Sequence, residues 1–303
     1  MMINKFKLWL SSRYDFPRQS LAAVSLSSLP KDPTFMYHSI GEGLFNGSSI
    51  ADVAAHVKKL EQTWHLKGFD PRECLTFTFD DGYRSSLPAI NMLLNMGYRV
   101  IVFYPLCDPE FRYLPKDCLR IVLDRLSVGS VLRIGDMRFT LHCAARHSRR
   151  MLAMRINRFL MMKYSLADYL SVYYEFHNVY RSLLDVPCKE HALMRVDELL
   201  PMLFRTNLLK LGAHGRAHYR FDRLRNMREM EVEILTPRQE LERVFDVKVE
   251  SLAYPYGLYT PAVESYAMQH YQYVFGASDQ DGMNGNGSLP RIGLDGVELV
   301  AGA

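Results

Sequence analysis

The sequence has no apolar run long enough to cross a membrane and little imbalance of charge. A bilayer-spanning helix needs about 18 or more consecutive apolar residues, and no stretch of the chain approaches that length. The formal net charge of +4 is too small to indicate a nucleic-acid partner. Charges interrupt the basic N-terminus (MMINKFKLWLSSRYDFPRQS), and LAAVSLSSL follows Arg18 too late for a signal peptide. We therefore expect a cytoplasmic protein that does not bind nucleic acid.

Paired cysteines are also lacking. The cysteines are odd in number and scattered: Cys74, Cys107, Cys118, Cys143 and Cys188. This distribution favours reduced thiols over a disulfide framework, in agreement with a cytoplasmic location. There is no internal repeat, and the only low-complexity tract is the glycine-rich DGMNGNGS at 281–288.

Strand and helix patterns alternate along most of the chain. Strand patterns lie at 33–41, 75–79, 98–106, 208–214, 249–257, 272–278 and 289–294, and helical patterns at 49–67, 86–96, 193–205, 227–245 and 261–270. This alternation predicts an α/β fold, a distorted (β/α) barrel of about seven parallel strands. Residues 107–192 carry helical patterns and no obvious strand beyond a hairpin arm at 137–142. We interpret 1–303 as a single domain with 107–192 as a mainly helical insertion after the third strand.

Two neighbouring carboxylates directly follow a predicted strand. The segment LTFTFDDGYR (75–84) alternates apolar and polar residues and then runs into Asp80 and Asp81. Adjacent anions repel each other and lose solvation when they are covered. Such a pair usually binds a metal ion or a proton in transit, although a helix N-cap is the structural alternative.

A pair of histidines, His214 and His218 in GAHGRAH, lies where another predicted strand ends. Ligands of parallel α/β folds bind at the carboxyl ends of strands, so we expect this pair to lie near Asp80 and Asp81. Two imidazoles and one carboxylate, with positions left open for water, are typical of a hydrolytic metal site. The alternative is two loop histidines that bind backbone carbonyls.

A third stretch, SLAYPYGLY (251–259), ends a strand in a Pro-Tyr-Gly turn. In one interpretation, this turn presents Tyr256 or a backbone N–H to a developing oxyanion. In the alternative, it is only a turn. Taken together, FTFDDG, the HxxxH pair and YPYG resemble the signature motifs of the polysaccharide deacetylases, the NodB-homology superfamily of carbohydrate esterase family four. The MYHSI strand and the closing LPRI segment resemble the branch whose members open with a "YH" strand. The resemblance covers 34–106 and 193–294 but not the insertion.

This resemblance implies a role for each matching residue. Asp81, His214 and His218 correspond to the ligands of one divalent metal ion, with zinc as the expected ion. Asp80 corresponds to the general base that activates the attacking water. The metal and the backbone N–H of Tyr83 would stabilise the oxyanion.

Two positions depart from the better-known form of the family. Ala253 stands where that form has an arginine that orients the base, and the late leucine-x-histidine that supplies the general acid is missing. Because both lie at or near predicted strand ends, we expect Arg291 to replace the arginine and His38 to replace the acid. For His38 the alternative is a histidine that caps its own loop.

The implied function is a metal-dependent hydrolase that removes N-acetyl or related acyl groups from an amino sugar of a cell-surface polysaccharide or its precursor. Two alternatives stay open: a small-amide or cyclic-amide hydrolase of the same fold, and a catalytically degenerate glycan-binding protein. The basic stretch at 146–163 has apolar residues at helical spacing. It suits contact with an anionic polymer, a lipid-linked diphosphate or the inner membrane surface, or it is the solvated face of a packed helix.

Overall fold

A seven-stranded parallel sheet forms the centre of the fold. The computed structural model describes residues 23–41, 47–107, 112–277 and 287–300. The sheet strands are β1 (Thr34–Tyr37), β2 (Thr76–Phe79), β3 (Arg99–Tyr104), β4 (Leu209–Ala213), β5 (Ser251–Ala253), β6 (Tyr273–Phe275) and β7 (Ile292–Gly293). Their order is β7-β1-β2-β3-β4-β5-β6, with every pair parallel. An isolated parallel bridge from Phe275 to Leu289 joins the two edges of the sheet. The predicted distorted barrel is confirmed.

Helices connect the strands and cover the outside of the sheet. The longer ones are α1 (Ile50–Leu66), α2 (Leu87–Asn95), α3 (Pro115–Arg125), α4 (Arg146–Lys163), α5 (Leu166–Val179), α6 (Val196–Arg205), α7 (Thr236–Phe245) and α8 (Pro261–His270). Four-residue helices lie at Pro71–Cys74, Arg181–Leu184 and Met227–Met230, and a π-helix at Glu231–Leu235 interrupts the helix predicted over 227–245. Within the described ranges, none of the helices has both the length and the apolar character that a membrane span requires.

The two faces of the sheet have different partners. On the outer face, Phe35 and Tyr37 of β1 stack on Phe77 and Phe79 of β2, with ring centroids 5.6 Å apart in each pair. This face belongs to the large buried cluster that includes apolar residues of α1. On the inner face, Phe103 packs with Ala253 and Phe275 in a separate small cluster. The interior of the barrel is therefore filled by side chains.

Residues between β3 and β4 lie outside the main sheet. In the described part from 112 to 192, the chain forms α3, α4, α5, short helices and an antiparallel hairpin of Val131–Ile134 with Met137–Thr140. The hairpin arm predicted at 137–142 is present, but its partner strand was not predicted. A short parallel pair, Ala23–Ser25 with Glu298–Val300, was also not predicted. The interpretation of 1–303 as one domain stays a proposal.

Some statements made from the sequence concern residues outside the described ranges. They are the basic N-terminal segment before Ala23 and most of the glycine-rich tract at 281–288.

Candidate metal centre and its surroundings

The predicted site residues come together where the parallel strands end. Asp80 and Asp81 directly follow β2, His214 directly follows β4, and His38 directly follows β1. Parallel strands of one sheet present their carboxyl ends at the same edge. The turn that contains Tyr256 follows β5 at this edge as well.

Asp81, His214 and His218 form a buried group with one potential ligand atom each, and these atoms lie within 4.8 Å of one another. Nε2 of His218 lies 2.8 Å from Oδ1 of Asp81, and Nε2 of His214 lies 3.7 Å from the same oxygen. Nδ1 of His214 donates to the carbonyl oxygen of Ala253 at 2.9 Å, which leaves the lone pair of Nε2 facing the group. Burial lowers the pKa of His214 to about 4, so the imidazole is neutral near pH 7.

The chemistry of this group fits a divalent metal ion. Oδ1 of Asp81 is buried and makes no hydrogen bond with the described residues. One carboxylate oxygen and two imidazole nitrogens are a common donor set for zinc, whose ligand atoms lie roughly 3.3–3.6 Å apart in a tetrahedral site. The 3.7 Å between Oδ1 and Nε2 of His214 lies close to that range, whereas the 2.8 Å between Oδ1 and Nε2 of His218 is shorter.

Backbone conformation at the site is unusual. In the described chain, four residues other than glycine have positive φ, and three of them are Asp81 (φ 67), His218 (φ 50) and Tyr256 (φ 61). Such conformations cost about 1–3 kcal/mol each and concentrate at functional sites. After Asp81, Gly82 also has positive φ, and a Cβ there would lie 2.8 Å from the ring of Tyr104. The turn after β2 therefore requires glycine at this position.

Arg291 binds Asp80, the carboxylate of the adjacent pair that is not a candidate metal ligand. Its Nη1 lies 2.6 Å from Oδ1 of Asp80 and its Nη2 lies 2.9 Å from Oδ2, with both side chains buried. Burial alone would raise the pKa of Asp80, but the charge of Arg291 holds it below its usual range. Nε2 of His214 lies 3.8 Å from Oδ2 of Asp80. Asp80 is therefore an oriented, ionised carboxylate beside the candidate metal group.

His38 is paired with Asp295, a residue that the sequence reasoning missed. Nδ1 of His38 lies 2.7 Å from Oδ2 of Asp295, and the backbone N–H of His38 donates to the same oxygen at 3.0 Å. Burial lowers the pKa of His38, but the hydrogen bond and charge of Asp295 outweigh it and raise the pKa to about 9. The available sequence signal was an acidic residue shortly after the closing LPRI segment.

The two tyrosines of the predicted site connect it to the insertion. The hydroxyl of Tyr83 donates to Oδ2 of Asp117 in α3 at 2.7 Å. The ring of Tyr256 packs edge-on against that of His218, with centroids 4.7 Å apart. The Tyr256 hydroxyl accepts a hydrogen bond of 3.2 Å from Nδ2 of Asn157 in α4.

Lys116, in the first turn of α3, is the second residue that the sequence reasoning missed. Its Nζ donates to Oδ2 of Asp81 at 2.7 Å and lies 3.2 Å from Nε2 of His218. Burial opposes ionisation of Asp81, but the charge of Lys116 helps to hold its pKa well below the usual range. An ammonium group thus lies against two of the three candidate ligands. No motif marks Lys116 in the sequence.

Comparison with solved structures places this architecture among known deacetylase folds. A polysaccharide deacetylase from Bacillus cereus matches with a TM-score of 0.50 and 14% identity, covering 89% of this chain and 66% of the other, just under two thirds of its length. A Streptococcus pyogenes deacetylase matches with a TM-score of 0.48 and 13% identity, covering 88% of this chain and 93% of the other. A de-N-acetylase from Aggregatibacter actinomycetemcomitans matches with a TM-score of 0.47 and 12% identity, covering 89% of this chain and 96% of the other. No protein-family model and no curated protein matches the sequence. The chain has the polysaccharide-deacetylase fold, as the motifs predicted.

Proposed function

We propose that the protein is a metal-dependent hydrolase that removes N-acetyl groups from an amino sugar of a cell-surface glycan or its precursor. The observation that carries the proposal is the pairing of two groups at one sheet edge. The first is the buried donor set of Asp81, His214 and His218. The second is Asp80, oriented beside it by Arg291. The similar Bacillus cereus structure is that of a polysaccharide deacetylase, which supports this choice of reaction.

The proposed roles of the carboxylates follow from their different partners. A divalent ion held by Asp81, His214 and His218, with zinc as our assignment, would polarise the amide carbonyl and lower the pKa of a water molecule. Asp80 then takes the proton of the attacking water, because its two oxygens are fixed by Arg291 and its lowered pKa keeps it ionised. The backbone N–H of Tyr83 and the turn at Tyr256 remain our candidates for contact with the oxyanion.

His38 is the proposed general acid. Amide cleavage needs a proton on the leaving nitrogen, because an amine anion is too basic to depart. With a pKa of about 9, His38 is protonated near neutral pH. Its side chain is 39% exposed, so a substrate can reach it.

These contacts favour an enzyme over a degenerate glycan-binding module. The arginine that the family motif has, and that this chain replaces by Ala253, has a candidate counterpart in Arg291. The late histidine of the family has a candidate counterpart in His38. A small-amide or cyclic-amide hydrolase would use the same groups, so the substrate decides between the two enzymes. A cytoplasmic location, and contact of the basic helix α4 with a membrane or lipid-linked substrate, remain predictions.

The test is release of acetate from a panel of N-acetylated glycans by the purified full chain. We expect release that stops with a chelator, returns with added zinc, and is lost in Asp80→Asn. The matched control is Asp246→Asn, because Asp246 is an exposed aspartate that also has positive φ. Turnover of cyclic amides alone would identify the alternative enzyme. Glycan binding without any hydrolysis would identify the degenerate module.

A further inference from the structure

A basic cavity lies beside the candidate metal centre. It has a volume of about 420 Å³, which is within the range of roughly 300–1,000 Å³ that is typical of small-molecule sites. It is enclosed by α3, α4 and the segments that follow His218 and β5. Its polar lining consists of Lys116, Arg120, Asn157, Arg158, Arg220 and Tyr256.

Four cationic side chains from three parts of the chain meet in this cavity. Lys116 and Arg120 lie one helical turn apart on α3, Arg158 lies on α4, and Arg220 follows the HxxxH loop. Among the described residues, no acidic side chain lines the cavity. Like charges that are brought together in this way repel each other unless an anion lies between them.

The carboxylates that pair with these cations lie outside the lining. Oδ1 of Asp117 accepts from Arg120 at 3.2 Å and is fully buried. Asp222 pairs with Arg220 at 2.6 Å. Each of these arginines has several N–H donors, and one ion pair leaves others for a ligand. Among the described residues, the cavity lining therefore has a cluster of cationic donors and no carboxylate of its own.

The cavity and the metal centre share residues. Lys116 donates to Asp81, and Tyr256 packs against His218. Two residues that line the cavity therefore contact candidate metal ligands directly. A substrate whose acyl amide lies at the centre would extend its neighbouring substituent into the cavity. The lining then selects the chemistry of that substituent.

We propose that this cavity binds a phosphate group carried by the N-acylated sugar substrate, an inference that rests on the proposed function. Guanidinium groups match phosphate oxygens through paired hydrogen bonds, and lysine adds a point charge. Three arginines and a lysine suit a group with several anionic oxygens better than a single carboxylate, and a neutral sugar offers them hydroxyl oxygens but no negative charge.

The first test is calorimetric titration of the full chain with inorganic phosphate and pyrophosphate, with zinc present and again with a chelator. We expect binding in both conditions. The double variant Arg158→Gln/Arg220→Gln should weaken it by about tenfold or more. The control is Arg138→Gln, an exposed arginine of the insertion hairpin outside the cavity. Binding that requires zinc, or that the double variant leaves unchanged, would overturn the inference.

The second test compares kcat/KM for N-acetylglucosamine 1-phosphate, its neutral methyl glycoside and an N-acetylated uronic acid. We expect a preference for the phosphate of about tenfold or more that the double variant abolishes. Equal rates with all three would refute the phosphate site and leave the proposed function standing. A kcat/KM for the uronic acid equal to that for the phosphate would show that the cavity does not distinguish a phosphate from a carboxylate, and would overturn the assignment to phosphate. Zinc-independent phosphate binding without any deacetylation would support the cavity assignment and contradict the proposed function.

Discussion

At the scale of single residues, the adjacent carboxylates Asp80 and Asp81 differ in the cations that compensate them. Arg291 binds both oxygens of Asp80, whereas Lys116 binds only Oδ2 of Asp81. Oδ1 of Asp81 therefore stays directed towards the imidazoles of His214 and His218. Two buried anions are tolerated here because each has its own cation.

This difference predicts that the two Asp→Asn variants behave differently. Asp80→Asn should retain zinc and lose turnover by about 10²–10⁴-fold, the usual contribution of a general base. Asp81→Asn should lose both, because an amide is a poor ligand for zinc. Zinc content of the purified variants and acetate release measure the two properties. Equal loss of zinc in both variants would show that the roles are assigned wrongly.

The position of Lys116 beside Asp81 predicts that replacing this lysine by a neutral residue increases the affinity for metal. Its ammonium shares Asp81 with any bound cation. Two unit positive charges about 4 Å apart repel by about 4 kcal/mol at an effective dielectric constant of 20, and a divalent ion doubles this repulsion. Lys116→Gln should therefore bind zinc about tenfold or more tightly, measured by competition with a chromogenic chelator. Lys189→Gln, in the same insertion but away from the site, is the control. Weaker zinc binding in Lys116→Gln would mean that Lys116 holds Asp81 in its ligating position.

The pair of His38 and Asp295 predicts the alkaline limb of the pH profile. A general acid must be protonated, so activity should fall as the pH rises through the pKa of His38, about 9. Asp295→Asn removes the charge that raises this pKa, and the alkaline limb should move by about 1–2 pH units towards the usual value for histidine. The measurement is kcat/KM against pH for both proteins. An unchanged alkaline limb would exclude His38 as the acid.

At the scale of elements, the loop that carries both histidines is shaped by the π-helix. Oε2 of Glu233 accepts the backbone N–H of Arg216 at 2.9 Å, and Oε1 accepts that of Ala217 at 3.1 Å. A Cβ on Gly215 would lie 2.7 Å from Oε2, so the loop closes tightly around this carboxyl group. π-Helical turns occur frequently at functional sites, and here the turn delivers the acceptor for the loop.

Glu233 predicts a pH dependence of stability. Burial raises its pKa from 4.5 to about 7, so the folded protein binds this proton more tightly than the unfolded chain. Its contribution is complete below pH 4.5 and is lost as the pH rises through about 7, up to about 3 kcal/mol. Glu233→Gln should reduce the difference in unfolding free energy between pH 5 and pH 8, measured by urea denaturation. Glu240→Gln, on the exposed side of α7, is the control. An equal pH dependence in wild type and Glu233→Gln would contradict this assignment.

The elements show which parts of the site the sequence could predict. Local alternation and the FDDG and HxxxH motifs located the strand ends, and parallel topology then brought Asp81 and His214 together. Lys116 carries no periodic or motif signal, and the only signal for Asp295 is its place shortly after the LPRI segment. The partners of both residues lie far away along the chain. The contact of Arg291 with Asp80 spans 211 positions and was expected only from its place near a strand end.

At the scale of the whole molecule, the insertion supplies a wall of the site. Lys116 reaches Asp81, Asp117 accepts from Tyr83, and Asn157 donates to Tyr256. The helical periodicity of 107–192 predicted helices but not which of their faces meets the barrel, since amphipathic patterns do not identify a partner. The chemistry of the barrel edge is thus predictable from its motifs, whereas the cavity beside it depends on tertiary packing.

The same long-range arrangement predicts that a bound metal stabilises the whole fold. Asp81 and His214 follow different strands, so an ion between them binds the native chain and not the unfolded one. Zinc at 100 times its Kd should add about 2.7 kcal/mol and raise Tm by about 5 °C. His214→Gln should abolish this shift, whereas His65→Gln, at an exposed position near the end of α1, should retain it. Differential scanning calorimetry with zinc and with a chelator measures both. A shift that persists in His214→Gln would place the ion elsewhere in the molecule.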